Sequence, residues 1–350
     1  MNITESNSVV CNSVEQYLNI VLNGEYKTLL FFRGESKLHK YVIPNLYLSK
    51  ELTKTSSEDY YRKLFSQLGH DDYSDSASLF RVISEFQHYG AKTRILDITT
   101  NPLVALYFAV EKFYGEKVPD VKIGEMDATY PCEDGIVYLF DGKPIHQKYD
   151  TGHTVAIKSA LNLLSQAIID NFFWVCESLK EDWGEAWETI KWYRLASAVE
   201  MASDISVREM SPREYHMIRR FMDLLNQRAK SHEELVYPFE VFEDLNKSHI
   251  VIPSKCTDRI KQQQGAFIFP KYLNTYNKEL SEIQNEIDLS VSSLLAQVTT
   301  PVDRKSICAI KIPGKHKENI KKELSKLGIT EGFIYPEIKS RSNSILESLS

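Results

Sequence analysis

Two stretches of this 350-residue chain hold residue types that bind anions and nucleotides. The first is the apolar run Lys27–Phe32, which ends in Arg33 and Gly34. A buried strand seldom ends in an arginine without a partner, because an unpaired buried charge costs several kcal/mol. Arg33 therefore either forms a salt bridge, to Asp97 or to a glutamate, or is presented to an anionic ligand.

The second stretch runs from residue 86 to residue 110. Its pattern predicts a polar approach that ends at Gly90, a short apolar strand that carries Arg94 and Asp97, and then a helix. Thr99-Thr100-Asn101-Pro102 suits the start of that helix, because Thr and Asn are preferred N-caps and proline fits the first helical position. A strand that leads into a capped helix leaves backbone N–H groups pointing outward, which can bind an anion.

Polar residues at the ends of otherwise apolar strands need either each other or a ligand. Arginine, glutamine and tyrosine are also the types that contact base edges and stack on rings. A pairing of Arg94 with Asp97 at the same strand end is the alternative for that arginine. We predict one cleft surrounded by Arg33, Gln87, Tyr89, Arg94, Thr99 and Gln264.

The chain resembles the FRG domain family, which is named for its Phe-Arg-Gly motif. The resemblance rests on Phe32-Arg33-Gly34-Glu35-Ser36, on residues 86–110, on residues 259–267 and on residues 328–337. These four blocks occur in the expected order and span roughly residues 28–340.

A more distant resemblance links the chain to ADP-ribosyltransferases of the arginine, serine, glutamate class. In that class an arginine on the first strand holds the dinucleotide phosphates, and a Ser-Thr-Ser strand shapes the nicotinamide pocket. A glutamate on a later strand stabilises the cationic transition state. By this resemblance Arg33 and Gly34 match the first element, and Thr99 and Thr100 match the second.

The third element departs from the pattern of the class. Gln262–Gln264 precede the later strand, and a neutral amide stabilises developing positive charge only weakly. Glu331 or Glu337 could supply the missing carboxylate if the fold brings one of them close.

The resemblance implies an NAD-dependent ADP-ribosyltransferase-like enzyme that acts in bacterial defence or as a toxin-like effector, with a nucleotide or nucleic acid as a possible acceptor. The alternative is a non-catalytic nucleotide or nucleic-acid recognition module on the same fold. The resemblance implies catalytic roles for Arg33, Thr99, Gln264 and Glu331. It implies NAD contacts from Arg33, Gly34, Gln87, Tyr89, Arg94 and Thr100.

Composition narrows the function classes. A net charge of −6 argues against a strongly basic nucleic-acid surface. The five cysteines occur singly without a Cys-x-x-Cys pair, so the spacing suggests neither a disulfide framework nor a zinc site, and we expect no metal.

No stretch approaches the ~20 apolar residues that span a bilayer, and the N-terminus lacks a signal pattern, so we expect a cytoplasmic protein without membrane contact. No protein partner is indicated.

The order of apolar runs predicts an α+β fold with a central mixed β-sheet, which by resemblance is ADP-ribosyltransferase-like. We predict an N-terminal helix in residues 1–25, an FRG-like domain over 26–340 and a frayed tail over 341–350. A helical insertion at about 154–245 contains all four tryptophans, which we expect in its core. Strands are predicted near 28–33, 94–98, 135–140, 265–269, 307–312 and 332–335.

Overall fold

A computed structural model describes residues 3–67, 78–112, 132–229, 233–254 and 257–336, without the side chains of residues 55 and 56. The predicted tail at 341–350 and Glu337 lie outside these ranges. The strands are β1 (Ser8–Val10), β2 (Leu30–Glu35), β3 (Leu96–Thr99), β4 (Gly135–Asp141), β5 (Gln147–Tyr149), β6 (His249–Ile252), β7 (Gly265–Phe269), β8 (Val298–Thr299), β9 (Ser306–Ile307) and β10 (Ala309–Ile312).

Fourteen α-helices lie among the described residues. They are α1 (Val14–Asn23), α2 (Ser57–Gln67), α3 (Leu79–His88), α4 (Pro102–Val110), α5 (His153–Ala160), α6 (Gln166–Trp183), α7 (Trp187–Ile190), α8 (Leu195–Asp204), α9 (Pro212–Ala229), α10 (Pro238–Leu245), α11 (Asp258–Gln263), α12 (Leu280–Ser292), α13 (Lys317–Lys326) and α14 (Glu331–Ile334). Among the described residues, none of these helices is both long and apolar enough to cross a membrane.

Eight strands form one mixed sheet in the order β1-β10-β4-β2-β3-β7-β6-β5. The two outermost pairs, β1 with β10 and β5 with β6, are parallel, and the inner pairs are antiparallel. The predicted α+β class with a central mixed sheet is confirmed. Because β1 is an edge strand of this sheet, the N-terminal segment is built into the same structure as the strands that follow.

Five of the six predicted strands are present, and β7 has its predicted bounds. The sixth prediction, a strand at 332–335, is wrong because this segment contains the short helix α14. Thr330 caps that helix by accepting a hydrogen bond from the backbone N–H of Phe333. Three apolar residues in a row fit either a strand or a buried helical turn, so periodicity could not decide between them.

Helix α4 packs its backbone directly against the sheet. A Cβ atom added at Gly34 of β2 would lie 1.8 Å from the carbonyl oxygen of Ala105, and one added at Gly135 of β4 would lie 1.9 Å from that of Ala109. Such overlap cannot be tolerated, so both strands need glycine where the helix crosses them. Asn101 starts α4 by accepting hydrogen bonds from two backbone N–H groups of its first turn, as the sequence predicts.

The chain between β5 and β6 is helical from α5 to α10, at the place where the sequence predicts an insertion. Its tryptophans divide into two groups. Trp183 and Trp187 are buried, as predicted for core residues, whereas Trp174 and Trp192 are exposed, so the core prediction is wrong for these two.

Candidate functional site

A cleft opens where two neighbouring strands of the sheet lose their pairing. β2 and β3 share only the residue pair Phe32 and Thr99, whereas β2 pairs with β4 along its whole length. The cleft has a volume of about 270 Å³ and lies over this gap. Its walls come from β2, α3, β3, α4, α11 and β7, so the sheet and three helices meet there. A concave site that combines apolar side chains with a few polar groups is a usual place for a ligand.

Part of the cleft lining is apolar, and we call this part the apolar wall. It combines three phenylalanine rings with three aliphatic side chains, one each from β3, α4 and α11. The apolar wall consists of Phe32, Ile98, Val104, Phe108, Ile260 and Phe267. A surface of this kind can pack against a flat heteroaromatic ring.

Arg33 lines the cleft and is held at two points of its guanidinium. Its Nε donates to Oε1 of Glu35 at 2.8 Å, and its Nη1 donates to the backbone carbonyl of Asp97 at 2.7 Å. Glu35 is only 8% exposed, so its charge depends on this arginine. The salt-bridge alternative for Arg33 is therefore found with a glutamate, and Asp97 contributes its main chain rather than its carboxylate.

Asp97 is exposed and lines the cleft, where its carboxylate can accept hydrogen bonds. Its Oδ2 accepts from Nε2 of Gln87 at 2.7 Å, and Oε1 of Gln87 accepts from the Thr93 hydroxyl at 2.8 Å, which fixes the amide orientation. Desolvation deep in the cleft raises the pKa of the Asp97 carboxyl, while the charges of Arg33 and Arg259 oppose the rise. Water in the open cleft moderates this effect.

Arg259 of α11 forms the opposite side of the cleft. Its guanidinium carbon lies 4.9 Å from the centroid of the Tyr335 ring, and its Nη1 lies 3.2 Å from Nδ1 of His88. Arginine can only donate, so Nδ1 of His88 accepts and the imidazole proton lies on Nε2. Among the described residues, no carboxylate oxygen lies within 4.0 Å of the Arg259 guanidinium.

The two threonines that precede α4 support the turns around the cleft. The Thr99 hydroxyl donates to the backbone carbonyl of Gln263 at 2.5 Å and accepts from the backbone N–H of Asn101 at 2.8 Å. The backbone N–H of Thr100 donates to the carbonyl of Gln264 at 3.2 Å. Gln264 itself has a left-handed φ of 48° and ends α11. These contacts join the start of α4 to the start of β7.

Four of the predicted site residues line the cleft, namely Arg33, Gly34, Gln87 and Thr99. Thr100 and Gln264 lie beside it and bond to each other. Tyr89 is 77% exposed and packs edge-on against His88, at the rim rather than in the cleft. Glu331 starts α14 and is not a cleft-lining residue.

The predicted site role of Arg94 is wrong, and so is its alternative pairing with Asp97. Arg94 is 3% exposed in the core, where Nε donates to Oδ1 of Asn162 and Nη2 donates to the Ser57 hydroxyl. Its guanidinium also lies over the rings of Tyr47 and Tyr272. Residues three apart near a strand end lie on opposite faces, so Arg94 and Asp97 diverge.

Sequence reasoning missed several residues of the site. Glu35 could have been found, because it lies two residues beyond Arg33 and therefore on the same strand face. Asp97 was considered only as a partner for arginine, and neither Arg259 nor Phe108 had a spacing signal. Within the described ranges, no cluster of three or more His, Cys, Asp or Glu side chains could hold a metal ion.

The match to a known protein family covers only some of the elements that form the cleft. Residues 28–117 match the family model of the FRG domain. This segment is therefore similar to the FRG domain. The match covers about a quarter of the chain and includes β2, α3, β3 and α4. The remaining walls of the cleft, α11 and β7, lie outside the matched FRG segment.

No curated protein matches the chain, and no solved structure matches it.

Proposed function

We propose that the cleft binds a nucleotide, with its ring on the apolar wall, its sugar hydroxyls at Asp97 and its phosphate at an arginine. The volume of about 270 Å³ lies near the lower end of small-molecule sites, roughly 300–1,000 Å³, and suits one nucleotide unit. Carboxylates commonly accept hydrogen bonds from ribose hydroxyls, and guanidinium groups bind phosphate.

The observation that carries this proposal is the Asp97 carboxylate, which lines the cleft and interacts electrostatically with both Arg33 and Arg259. Arg33 and Arg259 face Asp97 and Glu85 among the cleft-lining residues, so the charges nearly cancel. A cleft that has charged groups of both signs and little net charge suits a ligand with both hydrogen-bond donors and a negative group. A nucleotide meets this description, whereas a purely anionic ligand does not. Gln87 and Thr93 hold Asp97 in place before any ligand arrives.

NAD-dependent ADP-ribosyl transfer is the second candidate function, and the same carboxylate favours it. When bound, NAD supplies a glycosidic bond whose cleavage develops positive charge on the ribose. Asp97 offers the carboxylate that the sequence lacks at Gln264 and that Glu331 does not bring into the cleft. The volume of about 270 Å³ suits about one nucleotide unit, so the other half of NAD would have to lie outside the cleft. A defence or toxin-like role would depend on this activity.

Asp97→Asn is expected to weaken nucleotide binding about ten- to hundredfold, since a charge-assisted hydrogen bond is worth ~1.5–3 kcal/mol. Calorimetric titration with AMP, nicotinamide mononucleotide and NAD measures the loss. Because the pKa of Asp97 is raised, binding should weaken as the pH falls and begin to do so above the usual carboxyl range of about 3.9. The variant should show a flatter pH profile. Asp204→Asn, on the exposed end of α8, is the matched control.

A second assay separates the two candidate functions. The protein is incubated with labelled NAD and a mixture of protein, RNA and DNA acceptors. Label transfer that is lost in Asp97→Asn supports the transferase, whereas nucleotide binding without transfer supports the recognition module. Failure of the wild-type chain to bind any nucleotide at millimolar concentration would refute both.

A further inference from the structure

We infer that Arg259, rather than Arg33, contacts the phosphate of the ligand, and that Tyr335 positions it. This inference rests on the proposed nucleotide binding and deepens it by fixing the orientation of the ligand. The phosphate would lie at α11, and the sugar would lie between the two arginines at Asp97.

Charge compensation distinguishes the two arginines. Arg33 donates from Nε to the buried carboxylate of Glu35 and from Nη1 to a backbone carbonyl, so its charge is paired and two of its five N–H donors are used. Arg259 bonds only a neutral imidazole nitrogen and an aromatic face, and no carboxylate of the described chain lies within 4.0 Å of it. A guanidinium that lines a cleft without a carboxylate in direct contact gains more from an anionic ligand than one that is already in a salt bridge.

Tyr335 supports Arg259 from behind. The guanidinium lies over its ring, and the Tyr335 hydroxyl donates to Oε1 of Glu111 at 3.2 Å, which fixes the ring plane. The ring also packs edge-on against Phe108 of the apolar wall, with 6.4 Å between centroids. One tyrosine therefore sets the distance between the wall that takes the base and the cation that takes the phosphate.

The segment that carries Tyr335 is tied to the helix that carries Arg259. Nε2 of Gln263 in α11 donates to the backbone carbonyl of Ile334 in α14 at 2.9 Å. His88 of α3 holds Nη1 of Arg259 from the other side. The arginine is thus fixed by three elements and leaves its other donors to the cleft, which lowers the entropy cost of binding an anion.

A comparison of ligands with and without phosphate tests the inference. Arg259→Gln should weaken AMP about ten- to hundredfold in calorimetric titration and leave adenosine within twofold, so that the two ligands bind with similar affinity. Arg219→Gln, at an exposed position of α9, is the matched control and should change neither affinity. Equal weakening of AMP and adenosine, or no change in either, would overturn the role of Arg259.

The positioning role of Tyr335 has its own pair of variants. Tyr335→Phe keeps the ring under Arg259 and should bind AMP within about twofold to threefold of wild type. Tyr335→Leu removes the ring and should weaken AMP about five- to tenfold without affecting adenosine to the same degree. A merely structural residue would weaken both ligands together, and that result would refute positioning.

Two further outcomes are interpreted separately: no binding by the wild-type protein, and failure of a variant to fold. If the wild-type protein binds neither AMP nor adenosine, the proposed function fails before the inference is reached. If Arg259→Gln does not fold, Arg259→Lys replaces it, since lysine keeps the charge and loses the planar fork. An intermediate loss confined to AMP then supports the inference, and a loss shared by both ligands overturns it.

Discussion

Gly34→Ala is expected to destabilise the protein by about 3 kcal/mol or more, which exceeds the ~1–3 kcal/mol typical of overpacked sites. The new Cβ atom would lie 1.8 Å from the carbonyl oxygen of Ala105 and 2.9 Å from the backbone nitrogen of Ala109. Both atoms belong to the main chain of α4, so no side-chain rotation can relieve the overlap. The helix must move away from β2, and its contacts with the sheet must loosen.

Urea denaturation followed by circular dichroism measures this loss. Gly265→Ala is the matched control, because a Cβ there would have its nearest neighbour at 3.8 Å, an ordinary contact distance, in another strand of the same sheet. The control should change stability by less than about 1 kcal/mol. Similar midpoints for Gly34→Ala and the wild type would show that α4 does not approach β2 as closely as described.

Arg33→Met is expected to cost roughly 3 kcal/mol of stability, because it leaves the Glu35 carboxylate buried without its cation. This expected loss of stability lies at the lower end of the ~3–5 kcal/mol range for removing one partner of a buried ion pair, because the Arg33 side chain is 21% exposed. The second oxygen of Glu35 is buried and has no hydrogen-bond partner among the described residues, so it cannot compensate.

The double variant Arg33→Met/Glu35→Leu identifies the cause. Removal of both charges takes away the unpaired carboxylate, so the double variant should recover most of the stability that Arg33→Met loses. Denaturant titration of the wild type, both single variants and the double variant completes the cycle. Additive losses would mean that the two side chains do not interact, contrary to the 2.8 Å contact.

These two predictions explain the Phe-Arg-Gly motif in physical terms. Phe32 is part of the apolar wall and of the core. Arg33 neutralises Glu35 and donates a hydrogen bond to the backbone carbonyl of Asp97. Gly34 has no side chain, which lets α4 pack directly against β2. The motif therefore builds the gap between β2 and β3 that the cleft occupies. Arg33 is thus a structural contributor to the site.

Local sequence patterns predicted the strands and helices that have a long apolar run or a clear capping sequence. The strand over 265–269 and the start of α4 follow from apolar runs and from the Asn101-Pro102 cap. Signals were too weak for β1 and β5, because three-residue edge strands are shorter than any reliable period.

Side-chain partners from distant segments were beyond the reach of the sequence. Asn162, which binds Arg94, lies 68 residues further along the chain, and Tyr335, which supports Arg259, lies in a segment predicted as a strand. Gln87, Thr99 and Arg33 were placed correctly in one cleft because they end elements that the sheet brings together. Which of them would face a ligand depends on contacts that no local pattern encodes.

Methyl NMR of protein labelled at isoleucine and valine tests the central claim, nucleotide binding in the cleft between β2 and β3, most directly. Ile98, Val104 and Ile260 line the cleft. Ile169 and Ile218 are buried among the helices that follow β5 and precede β6 along the chain. Titration with AMP or nicotinamide mononucleotide should shift the three cleft methyl signals with one saturable dissociation constant and leave the other two unchanged. Unchanged cleft signals at millimolar nucleotide, or shifts confined to Ile169 and Ile218, would contradict the account.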